Sequence, residues 1–332
     1  MQGLFAYTVR RLLWLPFILL IVSFFAFMIT RFGPGDPVSV YSGQFRDEAA
    51  FTRVRHELGL DKPFYVQYEI YMRRLVTKGD FGESLTIYRG VKVWDIIWPR
   101  MLVSAQPGLV ALVIGFTLGT AVGIFAALKQ GTWLDPLSIS TFLLFQSIPV
   151  LVSLPILILI FVVKLGWLPA TGWGGPAIDV GPQEISLGIF SKHIILPALV
   201  LSLPSVAGVA RLVRATTLSV LGEDYVRTTR AKGLPEFTVV SRHVARNALL
   251  PLVTIVGLSL ITLLEGAFFT ETILGIPGIG RLGYQAATSR DYDVILALVL
   301  ILAFAFVMAN LITDIAYTLI DPRIRFGGQQ AD

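Results

Sequence analysis

The side chains able to do chemistry in this sequence are few and scattered. Its histidines are His56, His193 and His243, and it has no cysteine. Without thiols there is neither a disulfide nor a thiolate-ligated metal. The topology read below places His56 and His193 outside a membrane and His243 inside, so no pair could ligate a metal or haem between spans. No G-x-x-x-x-G-K-[ST] phosphate loop occurs. The run GIPGIG, Gly275 to Gly280, superficially suggests a dinucleotide-binding turn. It follows an apolar run rather than a strand and contains Pro277, so that reading carries little weight. Nothing here has the pattern of an active site for covalent chemistry.

The acids at membrane depth are a different matter. Glu265 falls toward the outer half of an apolar run, where an acidic group costs about 2.5–3.5 kcal/mol at a helix centre. Either it faces a cavity, a partner or water as part of a pathway, or the span ends earlier and it is interfacial. Glu265 and Glu271 are the two candidate pathway residues. Asp314 reads as an interfacial residue or a partner for a nearby Arg.

The elements that must position these groups are set by hydropathy. Hydrophobic residues form 55% of the 332-residue chain and charged residues only 15%, against about a quarter charged in soluble domains. Six runs lack Asp, Glu, Lys and Arg: 12–30, 101–128, 136–163, 193–210, 247–264 and 294–313. Each approaches or exceeds the roughly 18–20 residues that cross a bilayer as helix, and lipid offers backbone groups no water to bond. The expectation is an all-α polytopic membrane protein with six transmembrane helices. The first run has a basic lead, Arg10 and Arg11, but is longer than a signal core and has no small-x-small cleavage site after it, which reads as a retained anchor.

Lysine and arginine set the orientation. With the N-terminus cytoplasmic, six spans place twelve basic residues inside, from Arg10 to Arg325, against Lys164, Lys192, Arg281 and Arg290 in the two short outer loops. Both termini are then cytoplasmic. The long segment 31–100 lies outside with eleven basic and nine acidic residues. Two amphipathic helices are expected there: one over DEAAFTRVRHELGL on Phe51, Val54 and Leu58, and one over DKPFYVQYEIYMRRLVTKG on Phe64, Tyr68, Tyr71 and Leu75, stopping at Gly79. They could lie on the membrane, on a partner, or as a cap over the spans.

Within the second run, GFTLGTAVG spaces Gly115, Gly119 and Gly123 by four residues. Such spacing lets two helices approach closely, within the chain or with a second subunit. Pro107, Pro149, Pro155, Pro197 and Pro204 interrupt or begin spans, which suits bent helices.

The most ordered polar segment is RAKGLPEFTVVSRHVARN, Arg230 to Asn247. The preceding helix, with Leu218, Leu221 and Tyr225 on one face, is expected to run to Gly233. Pro235 fits the first turn of a new helix, and Glu236 there suits the helix dipole. Phe237, Val240 and Val244 form an apolar stripe, with Arg242 and Arg246 four apart on a basic face. A floppy basic loop would satisfy topology alone. A short two-faced helix points to docking on a protein surface, although lying among headgroups is physically allowed.

These residues resemble the membrane permeases of ATP-binding-cassette importers, in the branch for dipeptides, oligopeptides and nickel. PGDP (Pro34 to Pro37), LGLDKPFYVQY (Leu58 to Tyr68) and GDFGES (Gly79 to Ser84) are similar to that branch's outer region. YVRTTRAKGL (Tyr225 to Leu234) with RHVARNALLP (Arg242 to Pro251) is similar to its cytoplasmic coupling loop. ETILGIPGIGRL (Glu271 to Leu282), RDYDV (Arg290 to Val294) and DPRIR (Asp321 to Arg325) are similar to its C-terminal third. Arg227, Thr228 and Thr229 stand where the broader importer signature has Glu-Ala-Ala, and Arg246 where it has proline. Both changes are usual in the peptide branch.

The resemblance implies one permease domain over 1–332, with an extracytoplasmic segment 31–100 and a coupling loop 222–247, in a prokaryotic cytoplasmic (inner) membrane. It implies a second, related permease, two cytoplasmic ATPase subunits that bind ATP and Mg, and an extracytoplasmic substrate-binding protein. No cofactor is expected in this chain. The ATPase-coupling residues would be Arg230, Lys232, Gly233, Pro235, Glu236, Phe237, Arg242, His243, Arg246 and Asn247. A self-contained secondary transporter or channel is the alternative. It should show inverted repeats and intramembrane charges, and only Glu265 stands deep in a run. A membrane-embedded enzyme fits the scattered histidines poorly.

Overall fold

The computed structural model describes residues 2–32, 56, 61–180, 183–249, 251–252, 255, 259 and 267–320. These residues are predominantly helical. Helices α1 (Gln2–Phe32), α2 (Phe64–Lys78), α3 (Val93–Leu128), α4 (Leu134–Ser147) and α5 (Val150–Leu157) come first. Strands β1 (Ala177–Val180) and β2 (Gln183–Ser186) follow, then α6 (Ile195–Leu221) and α7 (Asp224–Ala231). After these come α8, described below and running over 236–248, then α9 (Phe268–Leu274), α10 (Ile279–Ser289) and α11 (Tyr292–Ile320).

Among the described residues four helices are long and apolar enough to cross a membrane: Arg10–Phe32, Val93–Leu128, Lys192–Leu221 and Tyr292–Thr313. The third apolar run is not one straight helix. It is broken at Ile148–Pro149 and its halves meet at 103°. Pro149 has no N–H to continue the ladder and biases the residue before it to extended backbone, which Ile148 adopts at φ −88°, ψ 120°. The described chain thus holds four spans, or five if the bent pair is one. Most of the fifth run, 247–264, lies outside the described residues. An expectation of helix alone also needs amending: β1 and β2 pair antiparallel, with Ile178 opposite Ile185.

The chain divides into two compact units. The first comprises Met1–Leu102 and Pro277–Asp332. Here α1 packs along α11, and α2 lies against both through Phe27, Tyr71, Leu296 and Leu300. The stripe expected on α2 is therefore a cap over the protein's own spans: Phe64, Tyr68 and Leu75 all join that core. Rings of Phe27 and Tyr68 stand 5.5 Å apart, and the Tyr68 hydroxyl lies 2.8 Å from Ser23 Oγ. Gly79 closes α2 at φ 63°, as its position in the sequence predicts. Burial raises the Tyr71 phenol well above its ordinary range. The companion helix expected over 47–60 lies outside the described residues, His56 apart.

A buried carboxylate fastens the segment that follows α2. Asp291, fully buried, accepts from the Ser84 hydroxyl and from the backbone amides of Leu85, Thr86 and Ile87 at 3.3, 3.2 and 3.1 Å. Removing the acceptor strands the buried Ser84 hydroxyl and three partly buried amides. Asp291→Ala is expected to lower the stability of the purified protein by about 3 kcal/mol, and Asp291→Asn, which keeps one acceptor oxygen, by less. Thermal unfolding in detergent checks the order.

The second unit comprises Val103–Ile276. Its centre is the contact of α3 with α6. A Cβ built on Gly115 would lie 2.8 Å from Ser205 Cβ, one on Gly119 2.7 Å from Val209 Cβ, and one on Gly123 2.6 Å from the Ala210 carbonyl oxygen. The glycine spacing is thus spent within the chain. Around it Phe116, Ile124, Val209, Val213 and Leu252 form an apolar cluster. On the hairpin side, Trp173 Nε1 donates to the Ser186 carbonyl at 3.0 Å, and Gln106 of α3 bonds the Ser186 carbonyl and the Ile189 amide.

Candidate functional site

The segment following α6, called the lever below, is folded into helices rather than a loop. The helix expected to continue to Gly233 breaks earlier: α6 ends at Leu221, Gly222 and Glu223 intervene, and α7 starts at Asp224. Glu223 is extended (φ −71°, ψ 144°), which turns the chain before α7 begins. Then Gly233 takes φ +75°, a left-handed conformation that L side chains adopt at a cost of about 1–2 kcal/mol. A Cβ on Gly233 would meet nothing within 4 Å, so its conformation alone calls for glycine. Gly233→Ala is accordingly expected to cost about 1 kcal/mol, and Gly233→Asn less, because Asn tolerates this region. Protease susceptibility of the 231–236 link measures the difference.

Pro235, expected in the first turn of the next helix, is its N-cap, one position earlier. That helix, α8, has three pieces: Glu236–Thr238, a π-helical turn over Val239–Val244, and Ala245–Ala248. The Ala245 amide bonds the Val240 carbonyl, an i→i−5 link. The wider turn changes which side chains share a face. Val239 and Val244, five apart, are both fully buried with Val226 of α7, against Val220 and Leu221. The stripe expected at Phe237, Val240 and Val244 assumed the α-helical period. Only Val244 of the three is buried; Val240 is partly so, and Phe237 is 83% exposed.

Polar contacts fix the lever to itself and to α6. The Arg230 guanidinium grips the Glu236 carboxylate across the Gly233 link, Nη2 at 2.7 Å and Nε at 3.2 Å. That hydrogen bond holds the Glu236 carboxyl below its usual range and raises Arg230, so both remain charged near neutral pH. Asn247 donates to the Tyr225 hydroxyl at 2.7 Å, and Tyr225 donates to the His243 carbonyl at 3.3 Å. Thr216 of α6 donates to the Ala248 carbonyl at 2.9 Å. Tyr225, expected only as part of an apolar face, is instead the polar clasp between α7 and α8.

Much of the segment is exposed, including most of α7 and the 231–237 link. Lys232, Phe237, Arg242 and Arg246 are exposed. Among the described residues no ion pair involves Arg242 or Arg246. A large exposed ring beside exposed cations, held on a scaffold with a buried valine core, has the make-up of a protein-docking surface. Aromatic and arginine anchors dominate such interfaces.

The pathway candidates are not brought to this surface. Glu265 lies outside the described residues. Glu271 is fully buried on α9, where its Oε1 accepts from the Ala267 amide at 3.2 Å, and its carbonyl accepts from Ile276. The left-handed Gly275 ends α9 at φ 69°, and the Leu274 carbonyl accepts from the Gly172 amide at 2.8 Å. Among the described residues no group of three or more His, Asp or Glu side chains could hold a metal.

Residues 119–326 match the family model described as "Binding-protein-dependent transport system inner membrane component", and residues 4–88 match the N-terminal model of the same systems. The chain belongs to this family. The permease is also similar over nearly its whole length to curated relatives. It is 35% identical to a probable peptide ABC transporter permease protein of Sinorhizobium fredii, over 96% of this chain and 99% of the relative. It is 37% identical to the dipeptide transport system permease protein DppB of Alkalihalophilus pseudofirmus, over 97% and 99%. It is 37% identical to the glutathione transport system permease protein GsiC of Escherichia coli, over 96% and 99%. The resemblance carried by the ordered motifs, from PGDP to DPRIR, is borne out. So is transport by a membrane permease, over a self-contained secondary transporter.

Proposed function

We propose that this permease is one of two related membrane subunits of an importer for peptides or similar small solutes, in a prokaryotic cytoplasmic membrane. Two separate ATPase subunits bind ATP and Mg and perform the hydrolysis, and an extracytoplasmic binding protein delivers the substrate. The permease itself has six spans with both termini cytoplasmic, and its 31–100 segment faces outward. The observation that carries this reading is the lever over 222–249. It is buttressed from within by Val226, Val239 and Val244, tied to α6 through Thr216, and presents Phe237, Arg242 and Arg246 among its exposed residues. A segment built this way transmits force. It has no function as a mere topology signal, which any disordered basic loop would supply.

ATP binding closes the ATPase pair, the lever moves with the surface on which it docks, and α6 carries that displacement into the membrane. The pathway then alternates between outward and inward access. Glu265 and Glu271 remain the proposed pathway residues, Glu271 as a buried acid that orders the start of α9 beside the bent span. The substrate names of the relatives, peptide, dipeptide and glutathione, support a peptide-sized cargo. Affinity purification from the native membrane tests the reading. Recovery of a second permease and two ATPase subunits, with ATP-dependent uptake after reconstitution, is expected. A lone chain that transports down an ion gradient would overturn it.

A further inference from the structure

One ion pair stands apart from the lever and from the pathway candidates. Asp135, buried near the start of α4, is gripped by Arg214 of α6 through two parallel bonds, Nε to Oδ1 and Nη2 to Oδ2, each 2.6 Å. A bidentate fork is directional, so α4 can neither slide along α6 nor roll on it without losing both bonds. Two residues further on, Thr216 bonds the lever at Ala248. On α6's contact with α3, the glycines Gly115, Gly119 and Gly123 bring backbone against side chain with no slack. Helices α3, α4 and α6 and the lever are therefore fastened to one another.

The next step along the chain is built in the opposite way. Past Ser147 the helix breaks, the path turns through 103°, and α5 contains Pro155 and continues as π-helix over Ile158–Lys164. An apolar cavity of about 70 Å³ sits in the crook, lined among others by Phe145, Ile148, Ser153, Leu203 and Pro204. Densely packed cores resist deformation, whereas Phe145, Ile148 and Ile156 at this elbow are exposed.

We propose that the Arg214–Asp135 pair stays closed throughout the transport cycle and makes α4 travel with the lever. Movement that enters at 236–248 is then delivered to the elbow at Ile148–Pro149, where the span bends. The inference rests on the importer reading above, and names a positioning pair through which that reading operates.

The chain lacks cysteine, so spin labels can be placed at chosen sites of the permease, assembled with partner subunits made cysteine-free. One label pair, Leu137→Cys with Ala215→Cys, spans α4 and α6; a second, Leu137→Cys with Leu159→Cys, spans the elbow. Between the nucleotide-free and ATP-bound complex, the α4–α6 distance should hold within about 2 Å, the scale of ordinary helix shifts, while the elbow distance changes by more. Asp135→Asn should broaden the α4–α6 distance and cut uptake per ATP hydrolysed about fivefold. The exchange Asp135→Arg with Arg214→Asp should restore both. An α4–α6 distance that changes with nucleotide as much as the elbow overturns the proposal, and so does full coupling in an assembled Asp135→Asn complex. If Asp135→Asn does not assemble, the wild-type distances and the exchange variant still decide. A wild-type complex in which no distance responds to nucleotide removes the importer reading itself, and this proposal with it.

Discussion

Gly123→Leu is expected to abolish accumulation of the folded permease. A methyl group alone at this position would meet the Ala210 carbonyl oxygen at 2.6 Å, Val213 Cβ at 2.7 Å and the Arg214 amide nitrogen at 3.1 Å. Two of these atoms belong to the α6 backbone, so no rotamer change relieves the overlap and the helices must separate. Overpacking of this kind typically costs about 1–3 kcal/mol when side chains can yield. Here the cost should lie at or above the top of that range, because the displaced helix also carries the Asp135 contact and the lever. A graded series makes the cause visible. Gly115→Ala opposes mainly the Ser205 side chain and should be tolerated best. Gly119→Ala, against Val209 and the Val206 carbonyl, should be intermediate, and Gly123→Ala worst. Gly208→Ala, on α6 with open space around it, serves as the control and should be neutral or slightly stabilising through helix propensity. Detergent-extracted yield and thermal unfolding read the series. Equal effects at Gly123 and Gly208 would show that the close approach of α3 and α6 is not what holds this unit together.

Reversing the basic face of α8, Arg242→Glu with Arg246→Glu, should leave membrane insertion and folding intact but reduce ATP-driven uptake by at least about tenfold. Both residues are exposed and pair with no carboxylate among the described residues, so folding loses little by their reversal. Each like-charge contact created against an ATPase surface that accepts arginines costs several kcal/mol. The expected signature is a complex that assembles poorly, or one that hydrolyses ATP without moving substrate. Normal assembly together with normal uptake would place the docking surface elsewhere. Reversal at Arg230 would be harder to read, since its guanidinium is already committed to Glu236 and its loss disturbs the lever from within.

Much of this architecture is legible in the sequence where local chemistry decides it. Gly79 and Gly233 take the left-handed conformation their positions predict, Pro149 marks the break in the third run, and the stripe Phe64–Tyr68–Tyr71–Leu75 buries as a helical face should. The start of α8 is equally plain from Gly233 and Pro235. Its inner face is not, because nothing in VVSRHV announces a π-helical turn, and one changed period moves Phe237 from the buried side to the exposed one. The hairpin was concealed by its shortness: two four-residue strands, AIDV and QEIS, flank a Gly-Pro pair in a region read only as an outer loop. Pairings between remote residues were beyond reach. Asp135 with Arg214, and Asp291 with Ser84, are separated by 79 and 207 positions, and without the fold a lone carboxylate near an interface reads as solvated. The glycines at Gly115, Gly119 and Gly123 announced a close helix contact, while the choice between α6 and a second subunit needed the structure.

On the proposed function, the 236–248 helix docks on a separate ATPase through the ring of Phe237 and the arginines beside it. Because the chain has no cysteine, Phe237→Cys provides a single thiol for a short thiol-reactive photo-crosslinker, and Phe190→Cys, exposed beyond the hairpin, provides the matched control. After purification of the assembled complex and illumination, a covalent adduct between the permease and an ATP-hydrolysing subunit is expected from position 237 and none from position 190. An intact complex that yields no such adduct from 237, or yields it equally from 190, would contradict it.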